Sequence, residues 1–227
     1  MKTYRGTIFT PAVICILLLL YSLGAMSQII GPELSARSFE VGYIVKSFHR
    51  DFDGHYHAYW AEDSFFVRYG ATDYLTFTGE GRIGVGDSRY PECNTRVYGF
   101  GGGSIIRVFR IKPYSISFSF HYYETLWFDR SKWRYHKIVN TTISAIQIER
   151  SFDLSGQGAA FWIAPAYVYD ESIHYPWGSY VSQIYRSKNN FGLIVGGDFM
   201  LFKHLHPFVH IVYADYIQPR FGVAYQF

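Results

Sequence analysis

Residues Tyr114–Glu124 read YSISFSFHYYE. From Tyr114 to Tyr122, aromatic and aliphatic residues occupy every second position, and serines and a histidine occupy the positions between them. An α-helix repeats every 3.6 residues and cannot separate this pattern into two faces, whereas a β-strand repeats every two residues and does. The stretch therefore predicts a strand with one apolar face and one polar face.

The same alternation recurs along the chain. Its apolar positions include Phe39, Val41, Tyr43 and Val45; Leu75, Phe77, Ile83 and Val85; Tyr98, Phe100, Ile106 and Val108; and Phe191, Leu193, Val195 and Phe199. Segment 138–150 changes phase between Ile143 and Ile146, which we interpret as a β-bulge. After Gln28 no apolar run reaches the ~20 residues of a membrane-spanning helix. Any crossing of a membrane would have to be made by strands.

The composition favours a single all-β domain with apolar outer surfaces. In 227 residues, 49% are hydrophobic and 17% are charged, and there are 21 Tyr, 20 Phe and 5 Trp. Aromatic residues favour half-buried strands, and Tyr and Trp also favour the membrane–water interface. The net charge of +3 comes without a basic block, so the charge pattern gives no indication of nucleic-acid binding.

The first 27 residues have the order of a cleavable signal peptide. Lys2 and Arg5 form a positive start, an apolar run follows over 11–23, and the small residues Ala25 and Ser27 precede Gln28. This order predicts cleavage before Gln28 and a secreted protein. We therefore expect a signal peptide over residues 1–27 and one barrel domain over residues 28–227.

The connections between strands predict how the barrel is wound. Short links fall at Ala71–Asp73, Arg110–Pro113, Asp153–Gly158 and Lys203–His206, and longer polar links fall at Arg50–Tyr59, Gly86–Thr95, Asp129–Lys137 and Glu171–Lys188. Short turns alternate with long loops in transmembrane barrels. We predict an antiparallel up-and-down transmembrane β-barrel of about ten strands. Eight strands is the alternative, since only Ala214–Gln218 separates the last pair.

The C-terminal residues carry a family resemblance. Arg220–Phe227, RFGVAYQF, resembles the final strand of bacterial outer-membrane β-barrel proteins, with Phe221, Val223, Tyr225 and Phe227 on its apolar face. Residues 66–77, FVRYGATDYLTF, are also similar to strand–turn–strand units of that class. The resemblance implies a porin-like protein in the outer membrane of a Gram-negative-type cell envelope. It also implies that the barrel-assembly machinery reads these four residues as an insertion signal.

If the aromatic faces meet lipid, the opposite faces line the bore. The charged residues at these inward positions are Glu40, Lys46, Arg68, Glu80, Arg82, Arg107, Glu149, Asp198 and Arg220. A barrel of eight strands is just wide enough for side chains to fill, and ten strands add little width. Buried charges must be paired, so we expect a network of ion pairs that fills the bore. The alternative is a narrow water-filled channel in which these charges select ions.

Three other groups of residues suggest chemistry. His49, Asp51, Asp53, His55 and His57 could ligate a metal, but their spacing is loose, and we expect a solvated loop without metal. Ser117, Ser119 and His121 share an inward face, about 7 Å apart along a strand, too far for a nucleophile–base pair. Trp60, Trp127, Phe128, Trp133, Tyr167 and Tyr169 are expected in interface girdles, and a glycan-binding aromatic shelf with Tyr175 and Trp177 is the alternative.

The sequence favours a structural or interaction barrel over the other function classes. We expect it to contact outer-membrane lipid and lipopolysaccharide, and to present its outer loops to a protein or glycan partner. A narrow passive channel for small solutes or ions is the second hypothesis, and a lipid- or peptide-modifying enzyme is the third. We expect no enzymatic activity and no cofactor. Cys93 lies in an outer loop without a partner in the mature chain, which favours a free thiol.

Overall fold

The computed structural model describes residues 34–53, 56–87, 95–129, 134–154, 157–175, 182–201 and 204–227. Eleven strands follow one another in this part of the chain. They are β1 (Phe39–Phe52), β2 (Tyr56–Thr72), β3 (Leu75–Asp87), β4 (Thr95–Ile111), β5 (Tyr114–Asp129), β6 (Arg134–Leu154), β7 (Gln157–His174), β8 (Gln183–Arg186), β9 (Phe191–Phe199), β10 (Leu205–Tyr213) and β11 (Ile217–Gln226). Within the described ranges, no helix is long and apolar enough to span a membrane. The predicted signal peptide lies outside these ranges.

The strands form one closed antiparallel barrel. Each strand from β1 to β7 pairs with the next, and β1 also pairs with β11, which closes the wall. The short β8 and the longer β9 both pair with β7, one above the other, so together they occupy one position in the wall. The barrel therefore has ten wall positions, which confirms the predicted all-β class and strand number.

The alternation places apolar residues outside and polar residues inside. Phe65, Val108 and Phe191 face outward and are 69%, 69% and 75% exposed. The inward neighbours of these residues along the strands, such as Ser64 and Arg107, are buried. A closed barrel with an apolar outer surface and a polar interior is the architecture of outer-membrane β-barrels. The expected location in a Gram-negative-type outer membrane is thereby confirmed.

Several expected loops are strands instead. β1 and β2 remain paired up to Phe52 and Tyr56, so Arg50–Phe52 and Tyr56–Tyr59 of the predicted loop Arg50–Tyr59 belong to strands. β5 and β6 remain paired up to Asp129 and Arg134, which removes most of the predicted loop Asp129–Lys137. These segments are polar because their strands continue beyond the apolar band, and main-chain pairing does not require apolar side chains.

The predicted bulge in segment 138–150 is wrong. β6 keeps one register with β5 from Lys137 to Arg150, and its odd-numbered residues all face inward. The phase change arises because Ile143 and Ala145 are apolar residues on the inward face, where they join a cluster with Trp162 and Ile194. Part of the barrel interior is therefore packed like a soluble core.

Candidate functional site

The interior of the barrel contains many buried charged side chains together with a cluster of packed aromatic rings. All nine charged residues placed in the bore from sequence are buried, with exposed fractions between 2% and 9%. They do not form one network. Three of them join a central cluster, Arg220 lies beside that cluster, and the other five lie nearer the lower end of the barrel, where Leu34 and Gln226 also lie.

The central cluster connects β1, β2 and β3. Lys46 Nζ lies 3.3 Å from Glu62 Oε1 and also binds Glu80. Arg82 Nε lies 3.0 Å from Glu80 Oε1, and its Nη1 lies 3.4 Å from Glu62 Oε1. Two cations and two carboxylates thus alternate around a closed square. All four side chains are at most 1% exposed, so the square is shielded from solvent on all sides.

Contacts with other strands carry the cluster across the bore. The Arg82 guanidinium lies 3.6 Å from the centre of the Tyr123 ring on β5. Arg220 on β11 lies 4.9 Å from the centre of the Phe48 ring on β1. Cations bind favourably over aromatic faces, more strongly where water is excluded. The middle of the bore is therefore filled from wall to wall.

An aromatic layer lies above the charged cluster. It consists of Phe48, Phe52, Trp60, Val97, Trp127 and Val139. The Phe48 and Trp60 rings stack at 4.8 Å, and Trp60 meets Trp127 edge-on at 5.7 Å. Trp127 fits because its neighbour is Gly86, where an added Cβ would lie 2.2 Å from the indole ring.

The expectation that Trp60 and Trp127 form an interface girdle is wrong. They are 1% and 0% exposed inside the bore, because their positions are in phase with the inward residues of β2 and β5. Tyr167 faces outward and is 42% exposed, as a girdle requires. Trp133 and Trp177 lie outside the described residues.

The lower part of the bore is wider and contains separate polar pairs. Arg68 Nη1 donates to Glu40 Oε1 at 3.0 Å, and His206 Nδ1 lies 3.2 Å from Asp198 Oδ1. Arg107 donates to the Asp73 carbonyl at 2.6 Å. Glu149 accepts hydrogen bonds from Gln147 and Ser151. Around these groups lies a cavity of about 500 Å³, so the lower bore is open space rather than a packed plug.

A second buried group joins the wall near the top of the barrel. Arg50 Nε lies 2.5 Å from Asp170 Oδ2, and its Nη1 lies 3.0 Å from Asp215 Oδ2. Arg50 also donates to the carbonyls of Val168 and Asn189. β1, β7, the β8–β9 link and the β10–β11 turn are thereby held together.

These contacts of Arg50 lie just above the point where the pairing of β1 with β11 ends. β1 pairs with β11 only up to Lys46 and Arg220, since the next residue of β11 is Pro219, which has no N–H to donate. Above that point, Phe52 bridges to Ser187. Tyr216 donates to Asp51, and partial burial together with this hydrogen bond raises the pKa of the Tyr216 phenol.

Sequence reasoning missed Glu62, Arg50, Asp170 and Asp215. Glu62 is in phase with Arg68, six residues further along β2, and that signal could have found it. Arg50 was assigned to a loop because polar residues surround it. Asp170 is 120 residues from Arg50 in sequence, and no local pattern indicates that the two meet.

The residues considered for catalysis and metal binding form no such site in the described structure. Ser117, Ser119 and His121 are buried on the inward face of β5. Neither His121 ring nitrogen has a hydrogen-bond partner among the described residues. Across the described ranges, no three His, Cys, Asp or Glu side chains are grouped to hold a metal ion. The side chains of His49, His55 and His57 lie outside the described part, as does Cys93.

The C-terminal strand closes the barrel as its register requires. Phe221, Val223, Tyr225 and Phe227 all face outward and are between 38% and 68% exposed. The Phe227 N–H donates to the Phe39 carbonyl at 2.8 Å. The first and last strands therefore meet at the very end of the chain. The role of the four residues in insertion stays a prediction.

Comparisons with known proteins find structures but no families. No family model and no curated protein matches the chain. The translocator domain of autotransporter NalP from Neisseria meningitidis matches at 10% identity and a TM-score of 0.40, covering 96% of both chains. The transport unit of autotransporter AIDA-I from Escherichia coli matches at 7% identity and 0.43, covering 98% of both chains. The KdgM porin matches at 13% identity and 0.35, covering 83% of this chain and 99% of its own. Such values leave the role of this chain to be argued from its own residues.

Proposed function

We propose that this chain is a structural or interaction barrel of the outer membrane whose bore does not conduct. The observation that carries the proposal is the pair of filled layers in series, the charged square of Lys46, Glu62, Glu80 and Arg82 beneath the aromatic layer around Trp60 and Trp127. An ion or solute crossing the barrel would have to displace both layers.

The energetics of the charged square favour a fixed plug over a selectivity filter. Each of its four groups has lost its water, and the loss is offset only while the partners stay in contact. A conducting site must bind an ion well enough for it to enter and weakly enough for it to leave. The charges of the square already compensate one another, and packed aromatic rings lie above them. The square therefore offers no binding site to a passing ion.

The outer wall is the part that we propose to meet lipid and partners. The apolar band contacts outer-membrane lipid, and the polar strand ends above it face the lipopolysaccharide layer. On that upper wall, Tyr122 bonds to Asn140 at 3.1 Å, and Arg186 pairs with Glu171 at 3.6 Å. A protein or glycan partner would bind here and at the connecting loops. We also propose that the chain has no enzymatic activity.

The narrow channel is the second candidate, and the lower cavity is the observation that favours it. About 500 Å³ of the bore is already open beneath the charged square. Conduction would then require both upper layers to move together.

Single-channel recording in planar bilayers tests the proposal. We expect no conductance steps from folded wild-type protein at either polarity, while an open porin in the same bilayers gives steps. Insertion is verified by heat-modifiable gel mobility of the recovered protein. Regular wild-type steps with a defined ion selectivity would establish the channel instead.

A further inference from the structure

The lower cavity of the bore has the size of a ligand-binding site. Its volume of about 500 Å³ lies within the range of about 300–1,000 Å³ that is usual for small-molecule pockets, which also occur in the mouths of β-barrels. Exposed Lys112 and Pro113, in the short turn between β4 and β5, line its edge. Because short turns lie on the periplasmic side of such barrels, the cavity opens to the periplasm.

Small side chains on one strand make room for the cavity. Gly158 and Ala160 of β7 both line it. Ala160 is paired with Ser151 of β6 on one side and with Asp198 of β9 on the other. A bulky side chain at position 160 would fill the space between β6 and β9, whereas alanine leaves it open.

The charged groups around the cavity are balanced in number. The cations that line it are Arg107, Arg110 and Lys112, the carboxylates are Glu40, Glu149, Asp153 and Asp198, and His206 also lines it. Glu40 is compensated by Arg68, and Asp198 lies 3.2 Å from His206 Nδ1. Without the Glu40–Arg68 pair, three cations face three carboxylates. A ligand of low net charge is therefore the one that matches the cavity.

The two signs of charge lie on different parts of the wall. The cations lie on β4 or directly after it, and the carboxylates other than Glu40 lie on β6 and β9. β5 separates β4 from β6, and β7 separates β6 from β9. One side of the cavity is thus positive and the other negative. A ligand with opposite charges at its two ends is complementary to this arrangement.

Two buried groups on the negative side can accept a further partner. Glu149 is 7% exposed, and the hydrogen bonds that it accepts come from the neutral side chains of Gln147 and Ser151. No ion pair found within the described ranges includes Glu149. His206 is 6% exposed, and its Nε2 has no hydrogen-bond partner among the described residues. Since a buried carboxylate is unfavourable unless a positive charge compensates it, Glu149 favours an ammonium group.

We propose that the lower cavity binds a peptide of two or three residues with free ends. Its ammonium group binds Glu149, and its carboxylate binds Arg110 and Lys112 at the edge. β4 and β6 are two positions apart in the wall, about 10 Å, and inward-reaching side chains shorten this gap. Three extended residues span about 10 Å, whereas the two charges of a single amino acid lie too close together to contact both sides. The site goes beyond the proposed function, because binding from the periplasm does not depend on whether the bore conducts.

Isothermal titration calorimetry on the folded full chain in detergent micelles tests the site, with trialanine as the probe. We expect one tripeptide to bind per barrel. Blocking either end, as in N-acetyl-trialanine or trialanine amide, should raise the dissociation constant about tenfold, because a hydrogen bond to a charged group is lost.

Substitutions on the two sides identify the side chains that bind each end. Glu149→Gln should weaken trialanine binding about tenfold and leave the weaker binding of N-acetyl-trialanine unchanged, since that probe has no ammonium group. Arg110→Gln combined with Lys112→Gln should weaken trialanine severalfold and leave trialanine amide unchanged. Glu124→Gln is the matched control, since it makes the same change on the outward face of β5, and it should bind trialanine like wild type.

The blocked peptides keep the proposal testable if Glu149→Gln does not fold, since they are measured on wild type. Folded wild type that does not bind trialanine at millimolar concentration would overturn the proposal. Equal affinity for the free and the blocked peptides would overturn it as well, and so would a folded Glu149→Gln variant with unchanged affinity for trialanine. None of these results bears on whether the bore conducts.

Discussion

Among the four residues of the charged square, Arg82 makes the widest set of contacts across the barrel interior. It touches both carboxylates of the square, and it lies over the Tyr123 ring on the far wall. Lys46 binds the same two carboxylates but, among the described residues, lies over the Phe48 ring of its own strand and not over a ring of β5. Without Arg82, the Lys46 ammonium group would be the only cation of the square left to compensate the two buried carboxylates, Glu62 and Glu80.

Arg82→Ala should therefore destabilise the folded barrel strongly. Removing one partner from a buried ion pair costs about 3–5 kcal/mol, because the remaining charge is buried without compensation. The free energy of unfolding in urea measures the effect. The control is Arg186→Ala, whose side chain is 64% exposed in its pair with Glu171 and should cost about 0–1 kcal/mol. Equal losses in the two variants would show that the square contributes no more than a surface pair.

Two glycines on β3 give a second comparison of single residues. A Cβ at Gly86 would lie 2.2 Å from the Trp127 ring, whereas a Cβ at Gly81 has nothing within 4 Å. We expect Gly86→Ala to destabilise the barrel by about 1–3 kcal/mol through overpacking. Gly81→Ala should be neutral or slightly stabilising, since alanine loses less backbone entropy than glycine. Urea unfolding of both variants decides, and a neutral Gly86→Ala would contradict the packed aromatic layer.

At the scale of strands, alternation predicted the direction of side chains well and the ends of strands poorly. Period-two patterns placed all nine charged residues inside, because each strand has one lipid face and one lumen face. The same rule failed for the polar upper ends of β1, β2, β5 and β6. Those ends lie above the apolar band, where the outward face no longer needs to be apolar, so the pattern that marks a strand is lost.

Partners across the bore could not be predicted in the same way. Alternation indicates that Lys46 and Glu80 both face inward, but their contact depends on the registers of β1 with β2 and of β2 with β3. Register is determined by many weak pairings at once. The Arg50–Asp170 contact is harder still, because it depends on the early end of the β1–β11 pairing at Pro219.

The last strand carries a prediction about assembly. β11 pairs with β1 along only seven residues, Glu40–Lys46, and the Phe227 N–H extends the ladder by one bond to Phe39. Deleting Phe227 should lower the fraction of protein that inserts and leave export to the periplasm unchanged. Heat-modifiable mobility of the membrane fraction measures insertion. Leu205→Ala is the control, since it removes an apolar side chain from the neighbouring strand but leaves the terminus intact. Normal insertion without Phe227 would refute the assembly role of the C-terminus.

In the whole molecule, the bore is blocked by two layers that are packed in different ways. The charged square needs exact partners and low exposure, and the aromatic layer needs volume. The two layers lie in series along the bore, so either one alone blocks it. Below the two layers, the cavity of about 500 Å³ leaves the bore open.

This arrangement predicts how conductance depends on substitutions. Trp127→Ala thins the aromatic layer, and Arg82→Ala thins the charged square. Because the layers act in series, we expect each single variant to conduct little more than wild type in planar bilayers, and the double variant to give clear steps. Gly81→Ala with Trp127→Ala is the matched double control, since Gly81 faces away from the bore. Each protein is first verified as folded by its heat-modifiable mobility. A single variant that conducts as well as the double variant would show that the layer it alters is the sole barrier, and would contradict two barriers in series.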